Sequence, residues 1–448
     1  EITPEFSYFS DEKEMRFRIT VNGGEKPDGL AVHHVLYKDA ARLDEKVQVL
    51  PSGDGQLELA LPNQSGVGHY RLEVTLHDAV KARLGDAACA FSVLRHEDYE
   101  GKINLWRHSI QFAGKETFMW SNIWEGLPSD ESVKLMAENG FNGVLIMIHS
   151  GSPTPDEIKD LLAAGQKYKV NFILWLGVGK EGIDRLIQVA PLLRNQASFL
   201  AFWGLDEVVT QGWSDAAIDD AAKTLRQAIG ENALLFHNEN DYGVMQRANF
   251  RNDDIISVDH YTIPDRELAS VSLVVGNLKK QAGNKPACFI AQSTGNAYCY
   301  GREPTPLEHE NQIYQAFTCD VWNISFLDNI PLGAENLPTL KRLRTEWDQL
   351  LALDIPAAPP VPAFCSDRDI RFLARKITKG HVIVSVNNDD ATPVCFDAPW
   401  LPKAGVVEVL FENRTLPVRD GAFTDSYGRL QRHVYVLAEQ PARDSENP

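Results

Sequence analysis

The segment FLAFWGLDEV, residues 199–208, is an apolar run that ends in two adjacent carboxylic acids, Asp206 and Glu207. Two carboxyl groups at one site suit the cleavage of a glycosidic bond, where one protonates the leaving oxygen and the other acts as nucleophile or base. The acid must hold its proton near neutral pH, and apolar surroundings and a neighbouring negative charge both favour this. Asp206 supplies that charge, so we expect Glu207 to be the general acid and Asp206 to support it.

Seven other apolar runs of similar length carry polar or aromatic residues at or near their ends. The eight runs are FMWSNIW (118–124), GVLIMIH (143–149), NFILWLG (171–177), FLAFWGL (199–205), ALLFHNE (233–239), IISVDHYT (255–262), ACFIAQST (287–294) and VWNISFLD (321–328). Asp259 is the preferred second carboxylate, with Glu239 next and Asp328 also considered. Aromatic rings suit the apolar faces of sugars, and the candidates for that contact are Trp124, Trp175, Trp203, Tyr261 and Trp322. His237 and Gln292 are expected to hydrogen-bond sugar hydroxyls.

The runs are continuously apolar, which is typical of parallel strands that are covered by helices on their outer face. Segments such as SDESVKLMAENG separate them and read as helices, with a serine at the start and a glycine after the last turn. Eight such units within residues 103–353 match a (β/α)8 barrel of ~250 residues, in which the carboxyl ends of all strands open into one basin. An open doubly wound sheet is the alternative, but no run is followed by a glycine-rich phosphate loop.

The chain on either side of this middle zone shows a different pattern. Short runs of alternating polarity occupy residues 1–97 and the chain after about residue 360, which is typical of β-sandwiches. The proline-rich segment DIPAAPPVPAF (354–364) indicates a domain boundary. We therefore predict a multidomain α/β protein with an Ig-like β-sandwich over 1–97, a (β/α)8 barrel over 98–355 and a C-terminal β-sandwich over 360–441.

Composition narrows the classes of partner. The 448 residues carry a net charge of −18, which disfavours nucleic acid and favours a neutral ligand. No apolar run has the ~20 residues that span a bilayer. Neither a metal-binding motif such as HExxH nor a GxSxG elbow occurs, so we expect no metal and no cofactor. The chain starts with glutamate, which a removed signal peptide would explain, so a secreted or periplasmic location is expected. The oligomeric state is left open.

Six cysteines lie at positions 89, 288, 299, 319, 365 and 395, without a CxxC pair. We expect them to be small buried side chains rather than a disulfide framework. One disulfide within 288–319 stays open as an alternative.

Several segments resemble the (β/α)8 glycoside hydrolases of clan A type, especially bacterial members whose fourth strand ends in W-x-x-x-DEP. SFLAFWGLDEV resembles that strand, with Val208 where proline is usual, and DIISVDHYTIP resembles a D-x-YP sixth strand. GKETFMWSNIW resembles the first strand, and FIAQSTG and VWNISFLDN resemble the seventh and eighth. VLFENRTLPVRDGAFTDSYGRLQRHVYVL resembles the C-terminal sandwich of such enzymes. The resemblance implies a carbohydrate substrate and places Glu207 at the acid/base position.

Two positions depart from that pattern. Asp206 stands where the family has asparagine, and the seventh strand carries Gln292 where the family has its glutamate nucleophile. Glutamine cannot form a glycosyl ester, which leaves three interpretations: a carboxylate from another strand, an inverting mechanism, or a barrel that binds sugar without cleaving it. Some α-glycosidase barrels instead use a fourth-strand aspartate as nucleophile and a sixth-strand aspartate as acid, and Asp206 and Asp259 occupy those strands.

Overall fold

The structure is a computed structural model of the chain. It describes residues 1–21, 30–39, 41–49, 56–63, 66–95, 101–112, 114–230, 232–240, 243, 246–264, 266–293, 302–327, 336–389 and 392–438. These residues form two compact units, one of 1–117 with 231–233 and one of 118–230 with 234–448. The predicted residue Asp328 and Cys299 lie outside the described residues.

The first unit is built from three antiparallel sheets. Its strands are β1 (Ile2–Pro4), β2 (Glu14–Thr20), β3 (Ala31–Lys38), β4 (Ala41–Val49), β5 (Gln56–Pro62), β6 (Gly68–His77), β7 (Arg83–Val93), β8 (Gly101–Asn104), β9 (Ser109–Phe112) and β10 (Lys115–Thr117). The sheet orders are β1-β2-β5, β4-β3-β6-β7 and β10-β9-β8. The first two sheets share one apolar core, to which β2 and β5 contribute every second side chain, as the alternating sequence predicts. Strands β8–β10 belong to this unit, although the predicted boundary lay at residue 97.

The second unit begins with eight parallel strands that close into a barrel in chain order. They are β11 (Trp120–Glu125), β12 (Gly143–Met147), β13 (Asn171–Trp175), β14 (Phe199–Asp206), β15 (Leu234–Asn240), β16 (Ile255–His260), β17 (Ala287–Gln292) and β18 (Asn323–Leu327). Strand β18 pairs with β11, which closes the ring. The predicted (β/α)8 barrel is confirmed, and each predicted run overlaps one strand.

Seven α-helices accompany the barrel strands within the described residues. They are α1 (Asp130–Glu138), α2 (Pro155–Tyr168), α3 (Gly179–Leu193), α4 (Asp215–Ile229), α5 (Ser270–Ala282), α6 (Pro306–Thr318) and α7 (Asn336–Ala352). Local sequence explains where several begin. Ser129 caps α1 by accepting a hydrogen bond from the Ser132 amide, and Thr154 and Thr305 start α2 and α6 with capping boxes.

The chain ends in an antiparallel sheet after a short 3-10 helix, Ile355–Ala357. Its strands are β19 (Phe364–Cys365), β20 (Ile370–Ile377), β21 (Gly380–Asn387), β22 (Thr392–Asp397), β23 (Ala404–Leu410), β24 (Arg414–Arg419), β25 (Ala422–Tyr427) and β26 (Arg432–Ala438). The order is β19-β22-β25-β24-β23-β26-β21-β20, and one residue pair joins β24 to β25. Both halves of the sheet contribute to one apolar core, as expected for a sandwich folded at that hairpin.

Buried polar contacts attach this sheet to the barrel helices. Asn311 of α6 donates its side-chain amide to the carbonyl of Asn387 at 2.8 Å. Arg432 of β26 donates to Glu346 of α7 at 2.8 Å, and its guanidinium also lies 3.1 Å from Glu310 of α6. Because all these groups are largely withdrawn from water, removing one partner would leave a buried charge unpaired.

The five cysteines among the described residues are unpaired: Cys89, Cys288, Cys319, Cys365 and Cys395. Cys288 is fully buried, which raises the pKa of its thiol and makes it a packing residue. In the described part of the chain, no helix combines the length and apolarity that crossing a membrane requires.

Candidate active site

Asp206 and Glu207 occupy the carboxyl end of β14, where the chain leaves the barrel wall. Asp206 is the last residue of the strand and pairs in register with Asn238 of β15. Glu207 has a left-handed backbone with φ of 48°, which is uncommon for a residue with a side chain. Its amide donates to the Asn238 carbonyl at 2.8 Å, so the turn out of β14 is fastened to β15.

The side chain of Asn238 joins Asp206 to Asp259. Its Nδ2 donates to Asp206 Oδ1 at 3.2 Å and to Asp259 Oδ1 at 3.0 Å. Ser257 Oγ donates to Asn238 Oδ1 at 2.8 Å, so the opposite end of the amide is held as well. Because one nitrogen atom contacts both carboxylates, the Oδ1 atoms of Asp206 and Asp259 can be no farther apart than the sum of its distances to them. This limit applies to the two Oδ1 atoms, and two carboxyl groups so close together can act on one glycosidic bond.

Strand alternation places this pair in the barrel interior. His260, the neighbour of Asp259, lies 2.8 Å from Ser270 Oγ of α5 through its Nε2 and therefore points to the helices. Asp259 and Ser257 point the opposite way. Asp259 is 8% exposed and Ser257 is fully buried.

All three acids at this edge have raised pKa values. Burial, followed by the charge of Glu207, raises the pKa of Asp259 to about 7, although hydrogen bonds from Asn238 and Tyr261 oppose the shift. Burial and the charges of Asp259 and Glu207 raise the pKa of Asp206 well above its usual range. Burial also raises the pKa of Glu207, and a hydrogen bond to Asn240 opposes it. Within the described residues no lysine or arginine forms an ion pair with any of the three, so protonation is the available way to relieve their repulsion.

His237 and Glu239 lie on the other face of β15. His237 Nδ1 lies 2.8 Å from Asp253 Oδ2, and its Nε2 lies 3.0 Å from Glu239 Oε1. Burial would lower the pKa of His237, but the two carboxylates outweigh burial and raise it to about 9. Glu239 also accepts the amide of Val209 at 3.0 Å. Both His237 and Glu239 are fully buried and alternate in direction with Asn238, although the charge of Glu239 still raises the pKa values of Asp206 and Glu207.

The predicted sugar-stacking rings occupy different depths of the barrel. Trp124 is half-buried near the end of β11, and Tyr261 is half-buried and hydrogen-bonded to Asp259, so both lie at the open end. Trp175 and Trp203 are almost fully buried and pack against each other with ring centroids 6.2 Å apart. The ring of Trp203 also packs against that of Phe236 of β15, with centroids 5.3 Å apart, so Trp203 is part of the barrel core.

Trp322 and Gln292 lie in surroundings that differ from the sugar-binding positions expected from the sequence. Trp322 precedes β18, at the amino end of the barrel, and stacks on Phe317 with centroids 4.9 Å apart. Gln292 is fully buried, donates to the Ile263 carbonyl at 2.7 Å and accepts the Ile263 amide at 2.8 Å. Trp322 is therefore separated from the strand ends that carry the acids, and Gln292 fastens the segment after β16 to β17.

Asn238 and Ser257 were missed by the sequence reasoning, which considered acids, aromatic rings, His237 and Gln292. The signal was present in the alternation of ALLFHNE, because Asn238 must face opposite to His237 and Glu239. No group of three or more His, Cys, Asp or Glu side chains that could hold a metal ion occurs in the described ranges. The arrangement is a carboxylate pair with a shared amide donor, plus a third acid beside it.

Comparisons with known proteins support the architecture. No family model matches the chain, and no curated protein sequence matches it significantly. A candidate alpha-galactosidase/melibiase of Bacteroides fragilis superimposes over 96% of both chains with a TM-score of 0.52 and 10% identity. An alpha-amylase of Anoxybacillus superimposes over 75% of this chain and 99% of its own, with a TM-score of 0.49 and 10% identity. The chain therefore shares the fold of the Bacteroides fragilis protein, and its own architecture is a closed parallel (β/α)8 barrel with additional antiparallel sheets.

Proposed function

We propose that this protein is a glycoside hydrolase that cleaves O-glycosidic bonds of a neutral oligo- or polysaccharide, with Asp206 and Asp259 as its pair of carboxylates. The observation that carries the proposal is the single amide of Asn238 within hydrogen-bond distance of both acids. Hydrolysis of a glycosidic bond needs two carboxyl groups close to that bond, and this amide holds two acids near each other. Their strand positions, fourth and sixth, match the α-glycosidase alternative drawn from the sequence.

The strand positions assign the roles, with the fourth-strand Asp206 as nucleophile and the sixth-strand Asp259 as acid, and the raised pKa values of both groups support a shared proton. A carboxyl group whose pKa lies near 7, such as Asp259, suits a general acid at neutral pH. Protonating Asp259 removes one of the charges that raise the pKa of Asp206, so the pair favours one proton shared between two groups. Asp206 is then the nucleophile in its charged form. Glu207 is the neighbouring carboxylate that keeps the proton on Asp259.

The reaction follows from these roles. Asp259 transfers its proton to the glycosidic oxygen as the bond to the anomeric carbon breaks, and Asp206 forms an ester with that carbon. Asp259, now charged, takes a proton from water, whose oxygen attacks the anomeric carbon and releases Asp206. The half-buried Trp124 and Tyr261 lie at the end of the barrel where a sugar ring would enter.

The test is a hydrolysis screen over neutral oligo- and polysaccharides and nitrophenyl glycosides, with α-galactosides included because of the Bacteroides fragilis neighbour. We expect Asp206→Asn to lose ~10³-fold or more in kcat/KM on every substrate cleaved. Asp259→Asn should lose as much on natural glycosides and far less in the first step on nitrophenyl glycosides, whose leaving group needs no proton. Glu138→Gln, an exposed carboxylate on α1, is the matched control.

Two results decide the proposal. Proton NMR of the first product should show retention of the anomeric configuration, because the proposed covalent intermediate on Asp206 is formed and hydrolysed by two successive inversions. Hydrolysis that survives both aspartate substitutions would overturn the assignment. Sugar binding without any hydrolysis would favour the non-catalytic barrel.

A further inference from the structure

Asn238 lies between two carboxylates, and its side-chain amide donates to both of them. It is almost fully buried, and its amide nitrogen carries two hydrogens, which matches the two carboxylate oxygens it contacts. Its carbonyl oxygen accepts from Ser257, so the amide cannot rotate without losing that hydrogen bond. All three hydrogen bonds connect β14, β15 and β16.

The two acids differ in how else they are held. Asp259 has a further hydrogen bond from Tyr261, whereas Asp206 is half-buried at a strand end and meets Asn238 as its side-chain hydrogen-bond partner. The position of the Asp206 carboxylate therefore depends on Asn238 more than that of Asp259 does. Asn238 also offsets part of the mutual repulsion, because its hydrogen bonds lower the pKa of both acids.

We propose that Asn238 is the positioning residue of the site: it donates one N–H to each of Asp206 and Asp259, is oriented by the Ser257 hydroxyl, and so holds the pair at its working separation. The inference rests on the proposed function for its catalytic consequence. Its structural content, the coupling of one amide to two carboxylates, stands on the geometry alone. Asn238 contacts the two carboxylates and Ser257 contacts Asn238, so both act through the acids.

The catalytic test uses Asn238→Ala and Ser257→Ala in the full chain. We expect Asn238→Ala to lower kcat on the order of 10²-fold with KM within a few-fold, because misplacement of a reacting group affects the chemical step. Its pH–kcat profile should move to higher pH, since both acids lose a donor that stabilises their charged forms. Ser257→Ala should shift the profile in the same direction with a loss of about tenfold, because the amide is no longer held.

Asn122→Ala is the matched control. Asn122 is a fully buried barrel asparagine of β11, and its amide donates to the Phe326 carbonyl at 3.3 Å rather than to an acid. This variant should leave the pH profile in place even if it lowers stability. An equal shift in Asn122→Ala, or an unshifted profile in Asn238→Ala, would overturn the positioning role while the hydrolase assignment stands.

A second measurement does not need activity. In a double-mutant cycle at pH 8, the free energies of unfolding of Asn238→Ala, Asp259→Asn and the double variant should be non-additive, because the charged Asp259 loses its donor in the single variant. Additive values would contradict the coupling even if no glycoside is cleaved. Failure of the inference and failure of the proposed function are thereby distinguished.

Discussion

The two faces of β15 hold acids in opposite electrostatic situations. On one face, Asp206 and Asp259 share the neutral donor Asn238 and have raised pKa values. On the other face, Glu239 and Asp253 enclose His237, whose pKa rises to about 9 and which therefore carries a positive charge at neutral pH. Asp259 is buried like Glu239 and Asp253, so its different electrostatic situation comes from its partner. Acids with a cationic partner contribute to stability, whereas acids with a neutral donor remain under repulsion and stay reactive.

The largest expected effect is the loss of a partner on the His237 face. Asp253→Asn should lower the free energy of unfolding by ~3 kcal/mol near pH 6, because it leaves a buried imidazolium with one carboxylate. The folded pKa of His237 is above its unfolded value of 6.5, so its contribution is complete below that pH and is lost as the pH rises through about 9. Denaturant unfolding at pH 6 and pH 9.5 should show a smaller deficit at the higher pH. An equal deficit at both would mean that His237 is neutral in the fold.

On the Asn238 face, removing an acid is expected to raise the free energy of unfolding rather than to lower it. Asp259→Asn should raise the free energy of unfolding by roughly 2 kcal/mol at pH 8, because the native protein buries a charge there. The folded pKa of Asp259 is about 7 and its usual value is 3.8, so the native chain loses stability between those values as the pH rises. The gain should therefore vanish near pH 3.5. Thermal unfolding across this range, with Glu138→Gln as control, measures it, and destabilisation at pH 8 would refute the comparison.

The smallest effect concerns Glu207, the acid that sequence reasoning preferred. Glu207→Gln removes a charge that raises the pKa of Asp259, so the upper pH limit of kcat should fall by ~0.5 to 1 unit. Activity near pH 5.5 should stay within about tenfold of the native protein. A loss of ~10² or more at every pH would instead make Glu207 the general acid.

Much of the fold could be predicted from the chain itself. The eight apolar runs indicated a covered parallel sheet, since burial of both faces imposes continuous apolarity, and their number and spacing favoured a closed barrel over an open doubly wound sheet. Alternation in β2 and β5 likewise required an antiparallel sheet with one buried face. The limits of the units were harder to predict, because short polar strands such as β8–β10 resemble the loops around them.

The candidate site was predicted at the level of strand ends, and Asp206, Asp259 and Tyr261 are indeed brought together there. The types of residue in the sequence could not show which acids lie in contact with a positively charged side chain. His237 and Glu239 have the composition of a catalytic pair, yet Asp253, fourteen residues beyond Glu239, completes their environment.

The sequence by itself determined the barrel and the strand ends that carry acids, because these follow from apolar periodicity, which is a property of the chain. Only the tertiary structure decided which face each acid occupies and what it touches. Trp322 lies at the amino end of its strand and Gln292 bonds to the backbone of Ile263. These outcomes depend on register between neighbouring strands, since a shift of one residue moves a side chain from the barrel interior to the helix layer.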